Sequence, residues 1–132
     1  MPRMLWPLRH GRPCVEIVLA LTQGGHPFPR VLLADTGAGS QTDSFELVLD
    51  EGECLVCGAF AYVSVPLGGS YAGVFPVYVL PVQVPALGFA QTVRAVGVQS
   101  VPAGFDGIAC FRFLNRFTYG NFGDPGRFGL EC

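Results

Sequence analysis

The 132-residue chain has no lysine, and its eight basic residues are all arginines, scattered from Arg3 to Arg127. A nucleic-acid footprint needs clustered positive charge, so this scatter argues against nucleic acid as a partner. Charge of either sign is scarce. Charged residues make up 14% of the chain, against roughly a quarter in an average domain. None falls between Cys54 and Val93. That run is long enough for a membrane helix, but Pro66, Pro76, Pro81 and Pro85 each remove a backbone donor, and Gly68, Gly69 and Gly73 weaken a helix further. No membrane span is therefore expected. Long helical patterns are missing too. With 18 glycines and 11 prolines the chain is unsuited to a helical bundle. An apolar core region is lacking before Pro13, so residues 1–13 read as an N-terminal arm and not as a secretory signal.

Five cysteines, at 14, 54, 57, 110 and 132, are an odd number, and reduced thiols are the expectation. Cys54 and Cys57 have the C-x-x-C spacing of zinc and redox sites. A zinc site needs two further ligands, and no second pair or H-x-x-x-H follows. Redox use calls for a strand–helix setting that the pattern does not suggest, so both read as structural thiols and no metal or cofactor is expected. The arginine-only basicity and the absence of a signal point to a bacterial cytoplasmic protein.

Half of the residues are hydrophobic, which excludes disorder and gives a core to one domain spanning 1–132. Strands are read at Cys14–Leu21, Arg30–Ala34, Ala59–Val65, Val74–Val84 and Ala90–Val98. A short strand or helical turn is read at Phe45–Leu49. The prolines of Val74–Val84 should sit on an edge or at bulges. Gln23–Pro27 has turn composition, and Leu67–Gly73 reads as a glycine-rich hairpin tip. Gly107–Phe117 is the one plausible helix. Short strands at Phe117–Phe122 and Phe128–Glu131 flank the Asp124-Pro125-Gly126 turn, in a C-terminal tail over 120–132. The sum is an all-β chain of seven to nine strands with a closed, barrel-like core and one short helix near the C-terminus.

Asp35 is the leading candidate for chemistry. It directly follows a strand apolar enough to be buried on both faces. Gly37 and Gly39 allow the chain to turn sharply beside it. A carboxylate held that close to a core is costly unless it is hydrogen-bonded, and the Thr36 hydroxyl is available for such a network. Other candidates are weaker. Ser70, in Gly68-Gly69-Ser70-Tyr71-Ala72, lacks the final glycine of a nucleophile elbow. His10 and His26 lie in polar segments without a nucleophile beside them. Gly37-Ala38-Gly39 lacks the third glycine of a dinucleotide fingerprint. Asp106 reads as a turn residue. The phenylalanines from Phe105 to Phe128 read as core or interface.

Val31-Leu32-Leu33-Ala34-Asp35-Thr36-Gly37-Ala38 resembles the active-site segment of the retropepsin-like aspartic proteases. In that family an apolar strand runs into Asp-Thr-Gly-Ala or Asp-Thr-Gly-Ser. Leu67-Gly68-Gly69-Ser70-Tyr71 falls where the family has its flap hairpin. Phe105 to Leu114 is similar to the family's second hydrophobic segment, with Ile108, Ala109 and Cys110 beside the catalytic loop and Cys110 where the family has glycine. Gly39 stands where many viral members carry a second aspartate. The match in order and spacing covers roughly residues 14–119. The resemblance implies a closed acid-protease barrel and an aspartic endopeptidase with Asp35 as catalytic residue. Thr36, Gly37 and Ala38 would form the active-site loop, and Leu67 to Tyr71 the substrate-covering flap. One chain has one D-T-G, so the second carboxylate would be Asp35 of a second copy. The partners implied are that copy, in a homodimer built on the terminal strands, and a peptide or protein substrate. A non-catalytic peptide-binding or dimerisation module on the same fold is the alternative.

Overall fold

The computed structural model describes residues 2–20, 27–69 and 71–132. The expected turn at Gln23–Pro27 lies almost wholly outside them, as do His26 and Ser70. Ten strands are described: β1 (Arg3–Pro7), β2 (Cys14–Leu19), β3 (Phe28–Ala34), β4 (Leu47–Asp50), β5 (Ala59–Leu67), β6 (Gly73–Val84), β7 (Phe89–Val98), β8 (Gly107–Ala109), β9 (Thr118–Gly120) and β10 (Arg127–Glu131). Two short α-helices, α1 (Glu51–Cys57) and α2 (Phe111–Leu114), and a 3-10 turn at Pro85–Leu87 complete the described elements.

Six strands close into a barrel in the order β2-β3-β8-β4-β7-β6, with β6 returning to β2 through Val18↔Gln83 and Leu19↔Val82. The all-β, barrel-like reading of the sequence therefore holds. The strand patterns explain the arrangement. In β2, Val15, Ile17 and Leu19 are fully buried while Glu16 is exposed, the period of two expected of a strand with one wet face. In β3, Leu32, Leu33 and Ala34 are all buried, as a strand covered on both sides requires. β8 threads between β3, which it pairs in parallel, and β4, which it pairs antiparallel. The space for β8 depends on Gly107, where a Cβ would overlap the Val48 carbonyl oxygen and meet Leu49 Cδ2 at 2.8 Å.

The prolines of β6 sit where the ladder tolerates them. Pro81 falls between Val79, the last residue paired with β5, and Val82, the first paired with β2. Pro76 stands opposite Ser64, where the register resumes after an irregularity between Phe60 and Ser64. Pro66 lies in β5, the outermost strand of the sheet.

Three expectations need correction. The stretch Gly107–Phe117 is not one helix: its first three residues form β8, and only Phe111–Leu114 is helical. A second helix, α1, spans the start of the charge-free run, so the short C-terminal helix does not stand alone. The Asp50 side chain caps α1 by accepting from Glu53 N–H at 3.3 Å, and Glu51 and Glu53 lie in the first turn, where the helix dipole favours acids. The strand count exceeds nine because the N-terminal segment contributes β1 and Gly107–Ala109 contributes β8. This strand pairs with β10 from Arg3↔Glu131 to Pro7↔Arg127, in a three-stranded sheet ordered β1-β10-β9. The terminal strands expected at a dimer interface thus pair with each other and pack on the core through Trp6 and Leu130. The exposed large apolar side chains lie instead on α1 and the β5–β6 hairpin, at Leu55, Val56, Phe60, Tyr62, Val63 and Val74.

The main core fills the barrel and the space beneath α2. Phe89, Phe113 and Phe117 meet edge-to-face there, with ring centroids 5.3–5.8 Å apart, each pair adding about 0.5–1.5 kcal/mol beyond area burial. Phe105, Phe113 and Phe117 are core residues, as their composition suggested. A second, smaller cluster gathers Phe45, Val48, Val77, Val96, Val98, Ile108 and Cys110, with Leu67, Tyr71 and Phe75 of the hairpin packed against it. This cluster is the floor on which the hairpin rests. Among the described residues no helix is long and apolar enough to cross a membrane.

Candidate active site

Asp35 is half-buried at the end of β3, where the parallel pairing with β8 also ends at Ala34↔Ala109. Its backbone N–H donates to the Ala109 carbonyl at 3.0 Å. Its Oδ1 accepts from Gly37 N–H at 2.9 Å, and its carbonyl accepts from Ala38 N–H at 3.1 Å. The Ala38 carbonyl accepts from Phe111 N–H at 2.9 Å. The loop at 35–38 is thereby fixed from within and tied at two points, to the last residue of β8 and to the first residue of α2. One carboxylate oxygen is committed to holding the turn, an Asx-type closure.

A side chain at 37 would bring a Cβ within 3.3 Å of Asp35 Oδ1. Gly39 has φ +75, and a Cβ there would lie 2.7 Å from Asp43 Oδ2, which accepts from Ser40 N–H at 2.6 Å. Gly39 is thus demanded by the loop, while at 37 a side chain would crowd the Asp35 carboxylate. Thr36 is exposed, and its hydroxyl holds no hydrogen bond among the described residues, so the network it was expected to support is carried by backbone amides.

Ile108, Ala109 and Cys110 are brought beside the loop, as read from the sequence. Cys110 is 1% exposed, and its N–H donates to the Glu46 carbonyl at 3.0 Å. Burial pushes its thiol up to about 12, with the nearby Asp35 and Asp43 carboxylates adding to the shift. Glu46 is itself buried and paired with Arg116, at 2.5 Å to Nε and 2.7 Å to Nη2. The Arg112 guanidinium bonds the Asp43 carbonyl.

The hairpin of β5 and β6 reaches over this loop. Near its tip Gly69 has φ +63 and Tyr71 N–H donates to the Gly68 carbonyl at 3.3 Å. Tyr71 is partly buried and meets Phe75 edge-on, with centroids 6.2 Å apart. Burial raises its phenol, with Cys110 contributing.

Two cavities open on either side of Asp35. One, of about 360 Å³, lies under the hairpin tip and is lined by Gly37 to Gly39, Phe45, Val48, Leu67 to Gly69, Ile108 and Cys110. The other, of about 530 Å³, is lined by Arg12, Leu33, Phe75, Gln99 to Pro102 and Ile108. Asp35, Tyr71 and Ile108 border both. Asp35 and Tyr71 therefore stand on the border between two adjoining cavities, one of them beneath the tip of the hairpin.

The remaining candidates fall elsewhere. Asp106 lies in the bend before β8 and has a structural part there: its Oδ2 accepts from Val31 N–H at 2.9 Å and its own N–H donates to the Val31 carbonyl at 2.8 Å, pinning the approach to β8 against β3. His10 is exposed, with its ring edge-on to Phe105. Cys54 and Cys57 do occupy a strand–helix unit, β4 into α1, contrary to expectation. Both are fully buried in the second half of the helix, and Cys54 is pushed up to about 12 by burial and the surrounding acids. That is the reverse of a reactive redox thiol. The cleft residues missed in the sequence, Arg12, Phe45, Val48, Phe75 and Gln99 to Pro102, come from distant segments, and local pattern gave no sign of their meeting.

No family model, curated protein or solved structure matches the chain.

Proposed function

We propose that the chain is an aspartic endopeptidase that acts as a homodimer, with Asp35 of each copy forming the catalytic pair. The observation that carries this reading is the position of Asp35. It is a half-buried carboxylate, held by the Gly37 amide, in a cleft made of two adjoining cavities, one of them beneath a β-hairpin. An extended peptide fits such a cleft, with side chains alternating into the cavities and its backbone available to the hairpin edge.

One carboxylate with no base beside it does not hydrolyse an amide. A second copy related by a two-fold axis supplies the partner. Two carboxylates in contact cannot both ionise cheaply, so the pair holds one proton. The ionised member takes a proton from water, and the protonated member hydrogen-bonds the peptide carbonyl and polarises it. The hydrogen bond from Gly37 N–H orients the carboxylate throughout, and closure of the hairpin excludes bulk water. The reaction draws on no cofactor. The resemblance of Val31–Ala38 to the retropepsin-like active-site segment points the same way.

Asp35→Asn keeps the shape and the Gly37 hydrogen bond but removes the base. Peptide cleavage should fall to background while thermal unfolding and oligomeric state are retained. Cleavage that persists in the folded variant would show that Asp35 is not the catalytic carboxylate.

A further inference from the structure

The two cavities that meet at Asp35 differ in kind. Apart from Asp35, the cavity under the hairpin tip has no charged lining residue, and its side-chain walls are mainly apolar or aromatic: Phe45, Val48, Leu67 and Ile108. The cavity on the other side, which Asp35 also borders, carries one cation, Arg12, with Gln99 and Ser100 alongside.

Arg12 is not there by default. It closes a two-residue turn, Arg9-His10-Gly11-Arg12, in which Arg9 and Arg12 exchange backbone hydrogen bonds at 2.9 and 3.0 Å. His10 and Gly11 at φ +53 and +71 give the turn its type I′ form. The turn is docked on the loop before β8. His10 lies edge-on to Phe105, and Gly104, at φ +84, leaves room for the imidazole 2.8 Å from where a Cβ would stand. The Arg12 guanidinium sits 5.8 Å from the Phe105 ring centroid. Among the described residues it has no carboxylate within ion-pair distance, a state it shares with Arg9, Arg94 and Arg112, whereas Arg3, Arg30, Arg116 and Arg127 are each paired; of the unpaired four, Arg12 is the one that lines this cavity. The neighbouring Gln99 amide donates to Glu51 Oε1 at 2.8 Å and is therefore occupied. An exposed guanidinium carried by a docked turn to the edge of a cleft, with no carboxylate within ion-pair distance, is free to receive a carboxylate from a ligand.

We propose that Arg12 makes this cavity a subsite for an acidic side chain, so that the preferred substrate carries Glu or Asp near the cleaved bond and an apolar side chain in the cavity beneath the hairpin tip. The proposal rests on the peptidase reading and adds to it the chemical class of substrate. In a homodimer both halves of the cleft carry the same pair of cavities, so the acid is accepted on either side of the scissile bond.

The test is a set of peptides with an apolar pair at the centre and Glu scanned through the flanking positions, each matched by its Gln counterpart. The quantity read is the ratio of kcat/KM for the Glu peptide to that for its Gln twin. For the wild type this ratio should reach roughly tenfold at one or more positions, the size expected of a charge-assisted hydrogen bond. It should fall to near one in Arg12→Gln, and Arg12→Glu should prefer Lys to Glu at the same positions. Arg12→Lys keeps the charge without the fork and should keep a reduced preference, which guards against a folding defect in the other two. A wild-type ratio near one at every position, or a preference unchanged in Arg12→Gln, overturns the subsite while cleavage itself sustains the peptidase reading. Failure of the wild type to cleave any peptide overturns the peptidase reading, and the subsite with it.

Discussion

The Asp35 N–H donates to the Ala109 carbonyl at 3.0 Å, joining the residue after β3 to the last residue of β8. The candidate catalytic loop is thus positioned by the strand threaded beside it. Whatever holds β8 in place holds Asp35 in place.

Gly107 is the point at which that threading is most easily broken. Its missing side chain lets β8 lie against the Val48 carbonyl, with Leu49 and Leu32 close by. Gly107→Val should cost about 3 kcal/mol or more, the upper range for overpacking, because the obstructing atom is backbone and cannot rotate away. Urea unfolding reads the loss, and peptide cleavage should fall even where the variant remains folded.

Arg116→Ala should destabilise the fold by roughly 2–3 kcal/mol. Removing the guanidinium leaves the buried Glu46 carboxylate unpaired, and breaking a fully buried pair costs somewhat more. The lower figure applies here because the Arg116 side chain is 33% exposed and partly screened. Glu46→Gln with Arg116 intact should cost less, since a neutral amide is cheaper to bury than a charge. Chemical denaturation of the two variants checks the order.

The buried thiols make the protein sensitive to alkali. Cys54 and Cys110 rise from 9.0 in the open chain to about 12 in the fold, in each case mainly through burial. Between those limits the unfolded chain releases protons that the native state keeps. Stability is therefore full below about pH 9 and falls as the pH rises towards 12. By about pH 10.5 the loss should be on the order of 2 kcal/mol for each thiol. Denaturant midpoints at pH 8 and pH 10.5 measure it, and Cys→Ala at either position should flatten the slope.

Much of the barrel could be read before the structure because its strands announce themselves locally. Val15, Ile17 and Leu19 alternate with polar or less buried neighbours, and Leu32 to Ala34 form a continuous apolar run into Asp35. The features that escaped had weak or misleading local signals. In α1, Gly52 and Val56 obscure a helix whose one clear mark is Asp50 followed three residues on by Glu53, a capping pattern. In β1, Pro2 precedes and Pro7 ends a strand that exists because β10 pairs with it, and nothing near Trp6 says so. The cleft was half legible. Asp35 and the hairpin tip stood out by residue type, whereas Arg12 enters through a turn docked on Phe105, a contact between segments more than ninety residues apart.

The claim that a single chain holds half of an active site is tested most directly by mixing. Wild-type and Asp35→Asn chains are combined in equal amounts, allowed to exchange subunits, and assayed for peptide cleavage at constant total protein. If each site needs Asp35 from both copies, mixed dimers are inactive, and cleavage should fall to about a quarter of the wild-type value. A fall to one half, the dilution expected of a chain that works alone, would contradict it.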